Sequence, residues 1–198
     1  RRGRSQSEGL DSRLRGNDGN NKETRSEPVL NAVLKPSPRT TYDYLIVALG
    51  CEPRHDLVAG FSPSVYSLYD VADCERLAPK LKTMSKGSIS VAVLGVPYPC
   101  PPAPYETAMT LDSEFRKRGV REQIEIRTWS LQPMSLPLMG RAVCTDFEAR
   151  LAKKGIPFTP SRKTVKLEGT KAVFERDALE SDVLIIATPH RPPAVVKQ

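Results

Sequence analysis

From Tyr42 onward, runs of apolar residues are separated by polar segments rich in proline or glycine. Three of these runs are continuous, which is typical of strands buried on both faces of a parallel sheet. They cover residues 44–48, 89–94 and 183–187. Residues 123–129 alternate apolar and polar side chains and predict a fourth strand. The segments 164–167 and 172–175 flank the turn dipeptide Glu168-Gly169 and predict a hairpin.

Amphipathic segments with helix start and stop signals lie between the strands. They cover residues 71–84, 104–118 and 141–154. Asp70 is a suitable N-cap for the first of them, and Pro79 is expected to kink or divide it. Gly119 and Gly155 end the other two. Strands and helices that alternate in this way predict an α/β fold, with a Rossmann-like parallel sheet flanked by helices.

Residues 1–40 are polar and show neither a helical nor a strand period, which predicts a disordered N-terminal tail. Residues 1–41 carry nine Lys or Arg and five Asp or Glu, so the tail holds more than half of the net charge of +7. A basic tail can bind nucleic acid, but this one has no aromatic residue before Tyr42 to stack on a base. No nucleic-acid partner is therefore expected.

Composition and cysteine spacing exclude several other classes of protein. Hydrophobic residues make up 39% of the chain, and no run approaches the roughly 18 apolar residues of a membrane-spanning helix. The cysteines form no Cys-x-x-Cys pair and only two histidines are present, so neither a metal site nor a disulfide framework is expected. They are Cys51, Cys74, Cys100 and Cys144. Free thiols indicate a reducing compartment such as the cytoplasm.

The loop after the strand at residues 89–94 has the position of a dinucleotide-binding loop without its sequence. Such a loop needs Gly-x-Gly-x-x-Gly, because the glycines allow backbone N–H groups to approach a pyrophosphate. Here the loop begins Gly95-Val-Pro-Tyr-Pro-Cys100, and its prolines have no N–H to donate. Bound NAD is therefore not expected.

This loop instead presents Cys100 just before a predicted helix, with Glu106 in the first turn of that helix. A helix N-terminus stabilises a thiolate, and Glu106 is close enough in sequence to exchange protons with a group bound there. The alternative is structural: Cys100 fills a proline-rich turn, and Glu106 is an acidic residue favoured by the helix dipole.

Several segments, among them residues 119–126 with 137–140, together resemble a known family. The block Cys100-Pro-Pro-Ala-Pro-Tyr-Glu106 resembles the central motif of the sulfide:quinone oxidoreductase-like flavoproteins, within the FAD-dependent pyridine nucleotide-disulfide oxidoreductase superfamily. The segment 42–50 is similar to the superfamily segment that crosses beside FAD, and residues 181–193 resemble the strand and loop that return toward the flavin domain.

The resemblance implies roles for seven residues. Cys100 and Glu106 would be catalytic: the thiol would attack or carry a sulfur donor, and the carboxylate would move protons. Electrons would then pass from the donor through FAD to a quinone-type acceptor. The residues implied in cofactor binding are Ala48, Leu49, Gly50, Pro104 and Tyr105. A strand-end turn is the alternative role for Gly50, and packing is the alternative for Tyr105.

By the same resemblance, residues 41–60 are expected to hold the crossing strand of the FAD domain. Residues 61–187 would form the Rossmann-like second domain, and residues 188–198 the return segment. The family's FAD-phosphate motif is absent from the chain, so the chain alone is expected to bind FAD poorly or not at all. A cytoplasmic location is expected, with peripheral association of the complete protein with the inner membrane. The two alternatives are a non-catalytic Rossmann-like interaction module and a nonfunctional remnant of a truncated gene.

Overall fold

A computed structural model describes residues 40–197, so the predicted tail lies outside the described part except for Thr40. The chain divides into two units, and the boundary lies between Ile46 and Val47. Within the first unit, residues 40–46 are exposed and have no regular secondary structure. All the helices and strands of the described residues belong to the second unit.

The second unit contains three α-helices and ten strands among its described residues. The helices are α1 (Val71–Thr83), α2 (Ala103–Lys117) and α3 (Arg141–Lys153). The strands are β1 (Glu52–Pro53), β2 (Tyr66–Ser67), β3 (Gly87–Val93), β4 (Ile124–Ser130), β5 (Phe158–Thr159), β6 (Lys166–Glu168), β7 (Lys171–Val173), β8 (Ala178–Leu179), β9 (Val183–Ala187) and β10 (His190–Arg191).

A five-stranded parallel sheet forms the centre of this unit, in the order β2-β9-β3-β4-β5. β3 pairs with β4 along its whole length, from Gly87 opposite Ile124 to Val93 opposite Ser130. On its other side β3 pairs with β9, whose five residues are all buried. The sequences of β3 and β9 contain continuous apolar runs because parallel strands in the middle of a sheet are covered on both faces.

The two faces of the sheet are covered by different elements. Side chains of Ile89 and Val91 belong to one core cluster, together with residues from all three helices. Trp129 belongs to the opposite cluster, where it packs edge-on against Phe174 with ring centroids 5.7 Å apart. That second cluster also includes Leu167, because the antiparallel sheet β6-β7-β8 covers this face.

Most of the predicted elements are confirmed. The α/β fold class and the parallel sheet are present, and the predicted hairpin is observed as β6 and β7. Asp70 caps α1, since its carboxylate accepts the Ala72 N–H at 2.9 Å. The helix continues through Pro79, so of the two predicted effects of this proline the division of the helix does not occur. None of the helices in residues 40–197 is long and apolar enough to cross a bilayer.

The predicted strand at residues 44–48 was wrong for this chain. These residues have no regular secondary structure, and the Tyr44 and Ile46 side chains are 91% and 89% exposed. An apolar run becomes a buried strand only where neighbouring strands pair with its backbone and other side chains cover it. Within the described residues, no strand pairs with this run.

Candidate functional site

The candidate site is the loop that joins β3 to α2, which we call the proline loop (residues 95–102). It lies at the carboxyl edge of the parallel sheet, where open α/β folds bind ligands. The start of the loop is held against the end of β9: the Leu94 N–H donates to the Ala187 carbonyl at 2.9 Å. Further along, the His190 N–H donates to the Pro97 carbonyl at 2.7 Å.

A short antiparallel pair brings the segment after Gly50 to the same edge. β1 pairs with β10, with Pro53 opposite His190. The Arg54 N–H donates to the Pro189 carbonyl at 2.7 Å, and the Arg191 side chain pairs with Glu52 at 3.2 Å. Residues 52–54, which follow the segment 42–50 in the chain, are therefore joined to the end of the segment 181–193 beside the proline loop.

Cys100 is exposed, and its backbone φ of +49° is unusual for a residue with a side chain. The hydroxyl of Tyr69 lies 2.5 Å from the Pro99 carbonyl, to which it donates, and 3.5 Å from the Cys100 carbonyl. The Tyr69 ring also packs edge-on against the His190 ring, with centroids 5.1 Å apart. Tyr69 thus connects the backbone beside Cys100 to the strand end that carries His190.

The pKa values of two tyrosines next to Cys100 are raised, so ionisation of both hydroxyls is disfavoured. Burial raises the pKa of Tyr98 to about 12, with a smaller contribution from the nearby Cys100. The pKa of Tyr69 is raised further, chiefly by burial and then by Tyr98 and Cys100. Both phenols therefore stay protonated at neutral pH and act as hydrogen-bond donors, Tyr98 to the Pro101 carbonyl at 3.3 Å.

The first turn of α2 offers few backbone donors. Pro101, Pro102 and Pro104 have no N–H, and the Ala103 N–H donates to the Cys100 carbonyl at 2.9 Å. The N–H groups of Tyr105 and Glu106 both donate to the Pro102 carbonyl at 3.0 Å. The helix start therefore has no free N–H group for a phosphate, unlike the helix N-termini that bind dinucleotides.

The two predicted catalytic residues both reach solvent at the start of α2. Glu106 is exposed in the first helical turn, and Cys100 is exposed three residues before the helix begins. Within residues 40–197, neither side chain makes a hydrogen bond or an ion pair. Both are accessible to a small molecule that approaches the carboxyl edge of the sheet.

The predicted cofactor-binding residues fall into two groups. Ala48, Leu49 and Gly50 lie in an exposed segment without regular structure, and a Cβ added at Gly50 would meet no atom within 4 Å. The φ of +71° explains the glycine there, as expected of a turn. Pro104 and Tyr105 are buried in the first turn of α2.

The surroundings of Tyr105 support its alternative role in packing. Its side chain has no exposed surface, and its ring lies edge-on to Phe147 and Phe158, with centroids 5.6 Å away in each case. Burial raises the pKa of its hydroxyl well above the usual value. In this chain Tyr105 anchors α2 to the core and presents no surface to a ligand.

Sequence reasoning missed Tyr69 altogether. It lies in a segment that the prolines and glycines predict to be a loop, and only the approach of the loops after β2 and β3 brings it to Cys100. Two other cysteines lie on helices away from this loop. Cys144 is buried in α3, with its thiol 3.0 Å from the Leu136 carbonyl, and Cys74 lies on α1. In residues 40–197, no cluster of His, Cys, Asp and Glu has the geometry to hold a metal.

Replacing Tyr69 by phenylalanine is expected to loosen the backbone around Cys100 without unfolding the chain. The variant loses one hydrogen bond to a carbonyl, worth about 0.5–1.5 kcal/mol, and this corresponds to roughly 2- to 10-fold faster hydrogen exchange at the Ala103 amide. Exchange at this amide can be followed by NMR. Tyr44→Phe serves as the control, since the Tyr44 side chain is exposed. Equal exchange rates in the two variants would show that Tyr69 does not hold the loop.

Comparison with known proteins finds similarity in sequence and in fold to oxidoreductases. No family model matches the chain. It is 27% identical over 184 residues to a mitochondrial sulfide:quinone oxidoreductase from Dictyostelium discoideum, which covers 86% of this chain and 40% of that protein. These similarities confirm the resemblance that the sequence predicts.

Solved structures confirm the fold class. The sulfide:quinone oxidoreductase from Aquifex aeolicus superposes with a TM-score of 0.67 at 20% identity, over 80% of this chain and 39% of that one. An FAD-dependent pyridine nucleotide-disulphide oxidoreductase from Desulfovibrio vulgaris superposes with a TM-score of 0.53 at 21% identity, over 77% of this chain and 37% of that one. The chain thus spans about two fifths of the length of these proteins.

Proposed function

We propose that the chain forms the central part of an FAD-dependent oxidoreductase, because its sequence is similar to that of a sulfide:quinone oxidoreductase. The complete protein would pass electrons from a sulfur-containing donor to a quinone-type acceptor. The observation that supports this most directly is Cys100, an exposed thiol that the family-like block places at the carboxyl edge of a Rossmann-like sheet.

We assign Cys100 the contact with the donor. The thiolate form of a cysteine is the nucleophile toward sulfur compounds, and the exposed position of Cys100 allows a small donor to reach it. The Tyr69 hydroxyl and the Ala103 N–H hold the carbonyls of Pro99 and Cys100, so the backbone that carries the thiol is fixed from both sides. A fixed backbone keeps the thiol in one approach geometry.

We assign Glu106 the movement of protons to and from the donor. Its carboxylate is exposed in the first turn of α2, on the helix that begins just after Cys100. An exposed carboxylate exchanges protons with water freely. A group that transfers protons to and from a thiol and its sulfur donor needs this exchange.

We expect the described residues alone to bind FAD poorly or not at all. The residues predicted to contact FAD are either exposed, as Ala48, Leu49 and Gly50 are, or buried in the core, as Tyr105 is. The first turn of α2 has no free N–H group for a phosphate. In the complete protein FAD would supply two-electron oxidation. The same proposal extends to a quinone acceptor and to peripheral contact with a membrane, which belong to the complete protein.

Replacement of the thiol tests the assignment of Cys100. In a full-length relative that carries the same Cys-Pro-Pro-Ala-Pro-Tyr-Glu block, serine at the position of Cys100 is expected to slow flavin reduction by sulfide about 100-fold or more. Glutamine at the position of Glu106 is expected to slow it about 10- to 100-fold, because one proton-transfer group is lost. Stopped-flow absorbance of the flavin measures both rates.

The matched control is glutamine at the position of Glu114, an exposed carboxylate further along the same helix. This control variant should reduce flavin at the rate of the unmodified enzyme. A serine variant with an unchanged rate of flavin reduction would remove Cys100 from the reaction. If only the glutamine variant at Glu106 kept the full rate, the proton role alone would be withdrawn.

A further inference from the structure

A cavity lies between the proline loop and the loop that follows β4, and we call it the loop cavity. Its volume is about 430 Å³, within the range of pockets that bind small molecules. It is lined by Val96, Pro97, Tyr98, Pro101, Pro102, Gln132, Leu136, Pro137, Leu138 and Met139. The cavity therefore occupies the crevice at the carboxyl edge of the sheet where nucleotide-binding α/β folds hold their ligand.

The walls of the loop cavity are almost entirely apolar. Four of its ten lining residues are prolines, whose rings have fixed backbone angles and no N–H to hydrogen-bond with water or a ligand. The Tyr98 hydroxyl is engaged with the Pro101 carbonyl, so the phenol ring is what remains available to a ligand. Among residues 40–197, no charged side chain lines the cavity. A phosphate or another charged group would therefore lose its hydration there without gaining a counter-charge.

One polar group is available to give a ligand its orientation. Gln132 is half-buried at the cavity, and its side-chain amide makes no hydrogen bond within residues 40–197. Its backbone is fixed, because its N–H donates to the Ser130 hydroxyl at 3.0 Å and its carbonyl accepts the Ser161 N–H at 2.8 Å. The side-chain amide can therefore donate to a carbonyl or hydroxyl oxygen of a bound molecule.

We propose that the loop cavity binds a flat, uncharged ring compound that carries one carbonyl or hydroxyl group. Proline faces and the Tyr98 ring stack on flat rings, and the rigid prolines keep the cavity preformed. The cavity is formed by two loops of the same chain and is open to solvent on one side, so a small molecule can enter it. This site is independent of the proposed redox function, because none of the residues that line it is assigned to that reaction.

Prodan, a neutral naphthalene with one ketone and polarity-sensitive fluorescence, is a suitable probe of this ligand class. Titration of the 198-residue chain is expected to shift its emission to the blue with a dissociation constant on the order of 10 µM. NAD⁺ at millimolar concentration should not displace it.

Gln132→Leu, which removes the amide and keeps the bulk, should weaken binding about 3- to 10-fold. Met139→Glu, which adds a charge to the apolar wall, should weaken it about 10-fold or more.

Val71→Glu is the matched control, since Val71 is an exposed apolar residue at the start of α1 and does not line the cavity. The control should bind prodan as the unmodified chain does, and circular dichroism should show that all three variants are folded. The proposal is overturned if prodan does not bind saturably, if Met139→Glu binds as well as Val71→Glu, or if NAD⁺ competes with prodan. None of these results would bear on the role of Cys100, which is tested by flavin reduction.

Discussion

Replacing Asp112 by alanine is expected to lower the free energy of unfolding by about 3–5 kcal/mol, because it leaves a buried guanidinium without its counter-charge. The Asp112 side chain has no exposed surface. Its two oxygens accept from Arg121 at 2.6 Å and from Arg116 at 3.1 Å. Arg121 is itself buried and also donates to the Ile124 carbonyl at 2.6 Å and the Gly155 carbonyl at 3.0 Å. The network therefore joins α2, β4 and the residue that ends α3.

Urea denaturation of the variant measures this loss. The control is Asp146→Ala, which removes an ion pair between Asp146 and Arg150 at 2.7 Å, with both side chains about two thirds exposed. An exposed pair of this kind contributes at most about 0.5 kcal/mol. If the two variants unfolded at the same urea concentration, the buried network would not hold the three elements together.

The pKa of Asp112 predicts how the free energy of unfolding depends on pH. Burial raises the pKa of Asp112, but the hydrogen bonds from Arg116 and Arg121 outweigh burial and hold the pKa below its ordinary value of 3.8. A lowered pKa in the folded state means that the stabilisation is complete above the ordinary pKa and is lost as the pH falls through the folded one. The unmodified chain should therefore lose stability below about pH 4 more steeply than Asp112→Ala.

The Asp112 network shows which part of the fold could be predicted from the sequence. The strands β3 and β9 and the helices α2 and α3 depend on local periodicity and on end signals such as Gly119 and Gly155, and these are visible in the sequence. The pairing of Asp112 with Arg121 depends on how α2 packs beside β4. Many Asp and Arg residues in the chain have the same local surroundings, so no pattern singles out this pair.

Some parts of the candidate site could also be predicted from the sequence, and others could not. Cys100 and Glu106 lie in one continuous block, so the sequence could place both at the start of a helix. Tyr69 and His190 reach the proline loop from two other strand ends, and only the parallel sheet brings those ends together. The segment 44–50 could not be placed correctly from its apolar character alone, because a strand also needs neighbours to pair with.

Replacing Gly95 by alanine is expected to cost about 3 kcal/mol, the upper end of the range for overpacking. A Cβ at Gly95 would lie 2.2 Å from Cγ and 2.6 Å from Cδ of Pro189, far inside van der Waals contact. The ring of Pro189 is stiff, and the Pro189 carbonyl accepts the Arg54 N–H. Pro189 therefore has little freedom to move away. The ends of β3 and β9 would separate, and the proline loop with Cys100 would move with them.

A double-mutant cycle with Pro189→Ala checks that this contact is the cause. Removing the ring of Pro189 also removes the atoms that the new Cβ would strike, so the double variant should be more stable than the sum of the single variants predicts. A coupling energy of about 1–3 kcal/mol is expected from urea denaturation of the four proteins. Additive effects would mean that Gly95 is needed for another reason. The packing of Gly95 against Pro189 would then not be what fixes the proline loop at the sheet edge.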